Sequence, residues 1–187
     1  MRLACGIPGG KAERTGVSEP RTIRAAPGTL PRPSSVTLPG VQIRPARGDD
    51  VAQLVRCYDW LFAPPGSKPP VWDAGAAAAR LHDLIGSDRS DALIAEVDGV
   101  IAGYLTIYLD ILSVRFGQRA WIEDMAVAPE RRSCGIGMAL LDVAKSWARE
   151  RGASHLELDS ALERAHAHRF YEREGAVRGA FSFHWPL

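Results

Sequence analysis

The residues best suited to chemistry lie between Trp121 and Trp147. Two adjacent carboxylates, Glu123 and Asp124, interrupt an apolar run that ends at Val127 and otherwise has the composition of a buried strand. A carboxylate in such a place can accept a proton or form a structural salt bridge, and the two roles are equally favoured for either residue taken alone. Because side chains alternate along a strand, we expect the two carboxylates to face opposite sides of a sheet.

A turn rich in backbone donors follows this strand. Pro129 ends the strand pattern, since proline cannot donate to a sheet ladder, and Arg132, Gly135 and Gly137 then precede a helical pattern. The start of a helix has unpaired N–H groups and a partial positive charge, so the turn is suited to hold a phosphate. The glycines would let the backbone approach that anion where a Cβ would collide. The plain alternative is an ordinary glycine-rich helix entry. A dinucleotide-binding motif would need a glycine where Leu140 stands.

The surrounding sequence predicts the strands and helices that position these residues. Asp98-Gly99 between two apolar runs is a strong signal for a type I′ β-hairpin. We expect a strand from His155 to run parallel to the strand before the turn, because a helix connects them. The predicted order, β-α-α-β-β-β-α-β-α-β, is that of an α/β domain with a mixed, mostly antiparallel sheet flanked by helices. Its other elements are a strand at Val41, a helix capped by Asp49 or Asp50, an alanine-rich helix from Trp72 to Gly86, a helix from Arg164 to Glu174, and a closing strand from Ala180 to Trp185.

Residues 1–40 differ in composition from the rest. They contain six prolines, six glycines and six basic residues against two acidic ones, and few large apolar side chains. Such a segment cannot bury enough surface to offset the entropy of ordering it, so we expect a disordered extension. An organellar transit peptide is the alternative, although proline and glycine fit an amphipathic helix poorly. The folded domain is then 41–187, with a mildly acidic balance.

Composition excludes several classes of function. A net charge of +1 gives no reason to expect nucleic-acid binding. No window approaches the ~20 consecutive apolar residues of a membrane span. The three cysteines are widely spaced without a CxxC pair, which favours a reduced, cytoplasmic location and argues against a structural metal site.

Taken together, these features resemble the GNAT superfamily of acetyl-CoA-dependent N-acetyltransferases. The motif Arg132-x-x-Gly135-x-Gly137 after a strand, the element order over 41–187, and a late helix from Ala167 to Gly175 that carries Tyr171 are similar to that family. Two features depart from it: Ser133 and Cys134 stand where many members have glycine and a basic or polar residue, and Ala176 stands where an aromatic residue usually follows glycine.

The resemblance implies a GNAT-like acyl-CoA N-acyltransferase fold, with acetyl-CoA as cosubstrate and no metal. It also implies that the strand before the turn splays from its parallel neighbour, so that its backbone pairs with the pantetheine arm while the turn holds the pyrophosphate. The residues implied in cofactor binding are Met125, Ala126, Val127, Arg132, Ser133, Cys134, Gly135, Ile136, Gly137 and Met138.

The same resemblance implies the catalytic residues. Glu123 is the preferred substrate anchor or base, closely followed by Asp124, and Tyr171 is the general acid for the departing thiolate, although a core tyrosine is the alternative. Asp159 and Ser160 are candidate substrate contacts. We therefore expect an enzyme that transfers acetyl directly to a primary amine, more readily of a small molecule than of a protein N-terminus or lysine. A non-catalytic acyl-CoA sensor is the alternative, and a homodimer is compatible with either.

Overall fold

The described part of the chain folds around a six-stranded sheet. A computed structural model describes residues 36–38, 40–180, 182, 183 and 185. The strands lie in the order of the sequence, and every neighbouring pair is antiparallel except the last. They are β1 (Val36–Leu38), β2 (Val41–Pro45), β3 (Ser90–Val97), β4 (Val100–Leu109), β5 (Arg119–Val127) and β6 (His155–Glu157). The helices are α1 (Val51–Phe62), α2 (Ala74–Ile85), α3 (Ile136–Glu150) and α4 (Ala165–Arg173), with single 3-10 turns at Gly48–Asp50 and Pro129–Arg131.

Helices cover both faces of the sheet and divide the core in two. On one face α3 buries an apolar stripe that includes Ile136, Leu140 and Trp147, as its periodicity predicts. On the other face α1 and α2 pack over Ile94 and Tyr104. Because the sheet lies between these two layers, the side chains of its central strands β3 and β4 alternate between the two halves of the core.

Several predicted boundaries are confirmed. Asp98 and Gly99 both have positive φ, 51° and 78°, as a type I′ hairpin requires. Asp73 caps α2 by accepting a hydrogen bond of 2.7 Å from the backbone N–H of Ala76. The expected parallel pairing of β5 with β6 is present.

Three other predictions differ from the structure. A short strand, β1, lies within the predicted extension and pairs antiparallel with β2; the remainder of that extension, residues 1–35 and 39, lies outside the described residues. Asp50 occupies the N-cap position of α1 as predicted, but its carboxylate accepts no hydrogen bond from that helix and instead accepts from Arg44 at 2.7 and 2.9 Å and from the backbone N–H of Arg47. Of the predicted closing strand, the described residues 180, 182, 183 and 185 are not in a strand.

The splay between the two parallel strands matches the expectation. β5 pairs with β6 over three residues only, Arg119 to Trp121. The strands form no further pair beyond Trp121, although β5 remains paired with β4 as far as Val127. One edge of β5 from Ile122 onward is therefore available to an extended ligand.

Candidate active site

A β-bulge places the two adjacent carboxylates on the same face of the sheet. Leu105 pairs with Met125, but Ile107 pairs with Ile122, so two residues of β5 lie opposite one residue of β4. Ile122 and Met125 both pack in the α3 half of the core, and the two residues between them therefore do not alternate in the regular way. The prediction that Glu123 and Asp124 face opposite sides is wrong for this reason.

Asp124 lies partly buried beneath α1. The Tyr58 hydroxyl donates to its Oδ2 at 2.8 Å, and the Thr106 hydroxyl lies 3.4 Å from the same oxygen. The Thr106 oxygen also accepts the Asp124 backbone N–H at 3.0 Å, which fixes the bulge. Among the described residues no basic side chain pairs with Asp124 and no hydrogen bond reaches its Oδ1. That oxygen can accept a ligand proton.

Burial and neighbouring groups change the proton affinity of Asp124. Burial raises the pKa of this carboxyl above its usual value, the hydrogen bond from Tyr58 opposes that rise, and the nearby charge of Glu123 adds to it. The same environment raises the pKa of the Tyr58 hydroxyl, chiefly through burial, so this tyrosine remains a donor. A carboxylate with a raised pKa is a stronger base than one in water.

Glu123 differs from its neighbour because it is exposed. Its Oε2 accepts a hydrogen bond of 2.7 Å from the indole N–H of Trp121, two residues earlier on the same face of β5. No ion pair between Glu123 and a described basic residue is formed. Its negative charge is therefore free to attract a cation.

One cavity of ≈590 Å³ brings together all five residues predicted to act on substrate. We call it the acceptor cavity. Glu123, Asp124, Asp159, Ser160 and Tyr171 all line it, although they come from β5, from the segment after β6, and from α4. Its remaining walls are the loop after α1, the residues between β6 and α4, and neighbouring apolar side chains: Leu61, Phe62, Pro65, Gly66, Ser67, Pro69, Ile122, Met125, Leu158, Ala161, Glu163, Arg164 and Ala167.

Tyr171 reaches this cavity from α4. Burial raises the pKa of its hydroxyl, and the nearby Arg164 guanidinium partly offsets that rise. Arg164 is held at the start of α4 by donating to the Leu61 carbonyl at 2.7 Å. The contact passes so close to Gly66 that a Cβ there would lie 2.4 Å from the guanidinium and 2.2 Å from that carbonyl. Only glycine fits at this point of the loop.

The predicted anion-binding turn is at the start of α3, and its residues do not line the acceptor cavity. Ser133 and Gly135 both have positive φ, 62° and 82°, and no side chain caps the helix. Its first backbone N–H groups are therefore exposed to a ligand. Arg132 folds back, and its Nε lies 3.3 Å from the Val127 carbonyl at the end of β5. Ser133 holds a left-handed backbone conformation that glycine would adopt without strain.

The two glycines of the turn differ in their surroundings. A Cβ on Gly135 would meet no atom of the described residues within 4 Å, so glycine is favoured there by its φ and not by a lack of space. A Cβ on Gly137 would lie 3.4 Å from the Phe170 ring and 3.5 Å from the Met125 side chain, which is ordinary van der Waals contact. Gly135 is therefore the glycine of this turn that the backbone conformation requires.

Comparison with known proteins settles the family. The sequence matches the acetyltransferase (GNAT) family over residues 54–176. The chain belongs to the GNAT family. It is 38% identical over 77 residues to an uncharacterized N-acetyltransferase of Bacillus subtilis, covering 41% of this chain and 54% of that protein. It is 41% identical over 89 residues to streptothricin acetyltransferase of Streptomyces lavendulae, covering 48% of this chain and 45% of that protein. The chain thus spans about half the length of these curated relatives.

The solved structures show the GNAT fold as well. An aminoglycoside N-acetyltransferase in complex with CoA superimposes with a TM-score of 0.69 over 82% of this chain and 96% of that one, at 16% sequence identity. The family and the fold class predicted from the sequence are confirmed, and acetyl-CoA is the acyl donor of this family. In the part of the chain that the structure describes, no helix is long and apolar enough to cross a membrane.

Sequence reasoning missed the residues that shape the GNAT site from a distance. Tyr58 contacts Asp124 from 66 residues away, and Arg164 joins α4 to the end of α1. A tyrosine on the buried stripe of an amphipathic helix carries no sequence signal for such a contact. The proline-rich composition of 64–70 did predict a loop. Gly66 within that loop was the one sequence signal that another group could pack closely against the backbone there, as Arg164 does.

Proposed function

We propose that this GNAT chain transfers an acetyl group from acetyl-CoA to a primary amine of a small molecule, directly and within one ternary complex. The observation that carries the proposal is the acceptor cavity, where a partly buried carboxylate with a raised pKa and a protonated tyrosine meet beside the free edge of β5. A base and an acid at one site are what an acyl transfer to an amine needs.

The turn and the free strand edge suit acetyl-CoA. The uncapped start of α3, with the positive φ of Ser133 and Gly135 and open space beside the latter, would hold the pyrophosphate. The backbone from Met125 to Val127, where β5 and β6 have separated, would align the pantetheine arm. When bound there, acetyl-CoA supplies the thioester that the amine attacks.

Asp124 is the residue best placed to accept the proton of the incoming ammonium group. Its burial strengthens the base, while Tyr58 and Thr106 hold Oδ2 and leave Oδ1 toward the ligand. Glu123 is exposed at the cavity wall and serves better as the anchor for a cation. This assignment reverses the sequence-based preference for Glu123 as base.

Tyr171 would donate a proton to the departing thiolate. Because burial raises the pKa of its hydroxyl, the group is protonated when the reaction begins. Arg164 would stabilise the phenolate that remains, since its positive charge lowers the same pKa. Among the described residues none forms a hydrogen bond with the Tyr171 hydroxyl, which leaves it free for the leaving group.

The charge of the cavity favours a cationic small molecule as acceptor. Among the described residues four acidic side chains line it, Glu123, Asp124, Asp159 and Glu163, against the single basic side chain of Arg164. A volume of ≈590 Å³ is that of a small-molecule site. One relative is named for acetylation of streptothricin, a small molecule.

The test is thiol release from acetyl-CoA across a library of primary amines that includes amino acids, amino sugars, diamines and a peptide with a free N-terminus, with mass spectrometry of the products. We expect acetylation of at least one small amine, and none of the peptide. Tight binding of acetyl-CoA without transfer to any amine would instead support a non-catalytic acyl-CoA sensor.

A further inference from the structure

A second cavity adjoins the acceptor cavity at the end of β4. Its volume is ≈420 Å³, and it is lined by two aromatic rings, two aliphatic side chains and two carboxylates: Tyr108, Trp121, Leu109, Ile111, Asp110 and Glu123. Tyr108 and Trp121 are cross-strand partners in the β4–β5 ladder. Glu123 lines both cavities, so a ligand in the acceptor cavity can extend past this residue into the second one.

The two carboxylates of the second cavity are not equivalent. Asp110 is paired with the Arg119 guanidinium at 2.5 Å, and the same guanidinium pairs with Glu157 at 3.0 Å. Glu123 has only the neutral indole N–H of Trp121 as its partner among the described residues. The uncompensated charge therefore lies at the junction of the two cavities.

The chemistry of these walls selects the kind of group that can bind. Aromatic faces attract a cation through their quadrupole, and an unpaired carboxylate adds to that attraction. A carboxylate or phosphate group would be repelled by Glu123, and a neutral hydroxyl group would leave the Glu123 charge uncompensated.

We propose that the second cavity binds a second cationic group of the acceptor, so that the preferred substrate is a diamine or polyamine rather than a monoamine. This inference rests on the proposed function, because the first amine must react in the acceptor cavity. It assigns Trp121 and Tyr108 a part in substrate selection, with Glu123 placed between the two amino groups.

The experiment compares straight-chain α,ω-diamines with alkylamines of the same carbon number, by kcat/KM for thiol release from acetyl-CoA. For at least one chain length we expect the diamine to be preferred roughly tenfold, the size of effect that a cation on an aromatic wall gives. Trp121→Leu and Glu123→Gln should each bring the diamine-to-monoamine ratio down toward one. Glu123→Gln keeps the shape of the side chain, so it tests the proposal even if Trp121→Leu fails to fold.

Leu112→Ala is the matched control. Leu112 is exposed in the loop that joins β4 to β5, next to Ile111 of the second cavity, but it lines neither cavity, so its substitution should leave the ratio unchanged. If amines are acetylated but diamines and monoamines react alike, the second-cation proposal is overturned while the proposed function stands. A preference that persists undiminished in both variants would also overturn it, and acetylation of no amine at all would remove both proposals.

Discussion

The Tyr58 hydroxyl should control the proton affinity of Asp124. It donates to Oδ2 at 2.8 Å, and this hydrogen bond favours the charged carboxylate. A hydrogen bond to a charged group contributes about 1.5–3 kcal/mol. Tyr58→Phe should therefore strengthen proton binding by Asp124 roughly tenfold to a hundredfold and move its pKa further upward.

The assay is ¹³C NMR titration of the aspartate carboxyl carbons, with the Asp124 signal identified by its loss in Asp124→Asn. Tyr104→Phe is the matched control, because Tyr104 lies in the same half of the core and its buried hydroxyl has no hydrogen-bond partner among the described residues. Removing that hydroxyl should leave the titration of Asp124 nearly unchanged and cost little stability.

An Asp124 titration that is unmoved in Tyr58→Phe would refute this reasoning. An equal shift in both variants would refute it too, because the effect would then come from general changes in core packing rather than from the hydrogen bond.

Three further predictions concern the acid, the turn and an ion pair. Tyr171→Phe should lower kcat at least tenfold while calorimetry shows unchanged CoA affinity. Gly135→Ala, at a φ of 82°, should reduce the free energy of unfolding by about 1 kcal/mol and weaken CoA binding. Its control is Gly152→Ala, at a φ of 74° at the other end of α3, which should reduce the free energy of unfolding by a similar amount and leave the affinity for CoA unchanged. Arg44→Gln should lower the free energy of unfolding in urea by ~2 kcal/mol at neutral pH, a loss that shrinks in acid.

The acid dependence follows from the sign of the pKa change at Asp50. The hydrogen bond from Arg44 holds the pKa of Asp50 below its usual value, so the pair stabilises the fold above that usual value and the contribution disappears as pH falls through the folded-state pKa. A loss of unfolding free energy in Arg44→Gln that stays the same at every pH would contradict this pH dependence. A wild-type rate in Tyr171→Phe would remove the general acid, and equal CoA affinity in both glycine variants would show that the turn does not hold the cofactor.

Local signals were enough to predict most of the fold. Patterns in neighbouring residues predict three of its features: the Asp98-Gly99 turn, the apolar stripe of α3, and the parallel pairing of two strands joined by a helix. β1 was missed because a run of three residues is too short to show the alternation of a strand, although Val36 and Thr37 favour one; it is defined by its pairing with β2.

The site was predictable in its residue types but not in its geometry. Adjacent carboxylates look the same in a regular strand and in a bulge, so the common face of Glu123 and Asp124 becomes visible only through the register of β4 and β5. Likewise, the environment of Asp124 depends on Tyr58, which only the tertiary structure brings near.

The central claim is that Asp124 removes the proton of an acceptor amine in the cavity it shares with Tyr171. The most direct measurement is the acetylation rate of Asp124→Asn on the best amine of the library, together with its affinity for acetyl-CoA by calorimetry. We predict a kcat/KM lower by at least a hundredfold with acetyl-CoA binding retained. A variant that binds acetyl-CoA and acetylates the amine at the wild-type rate would contradict the claim.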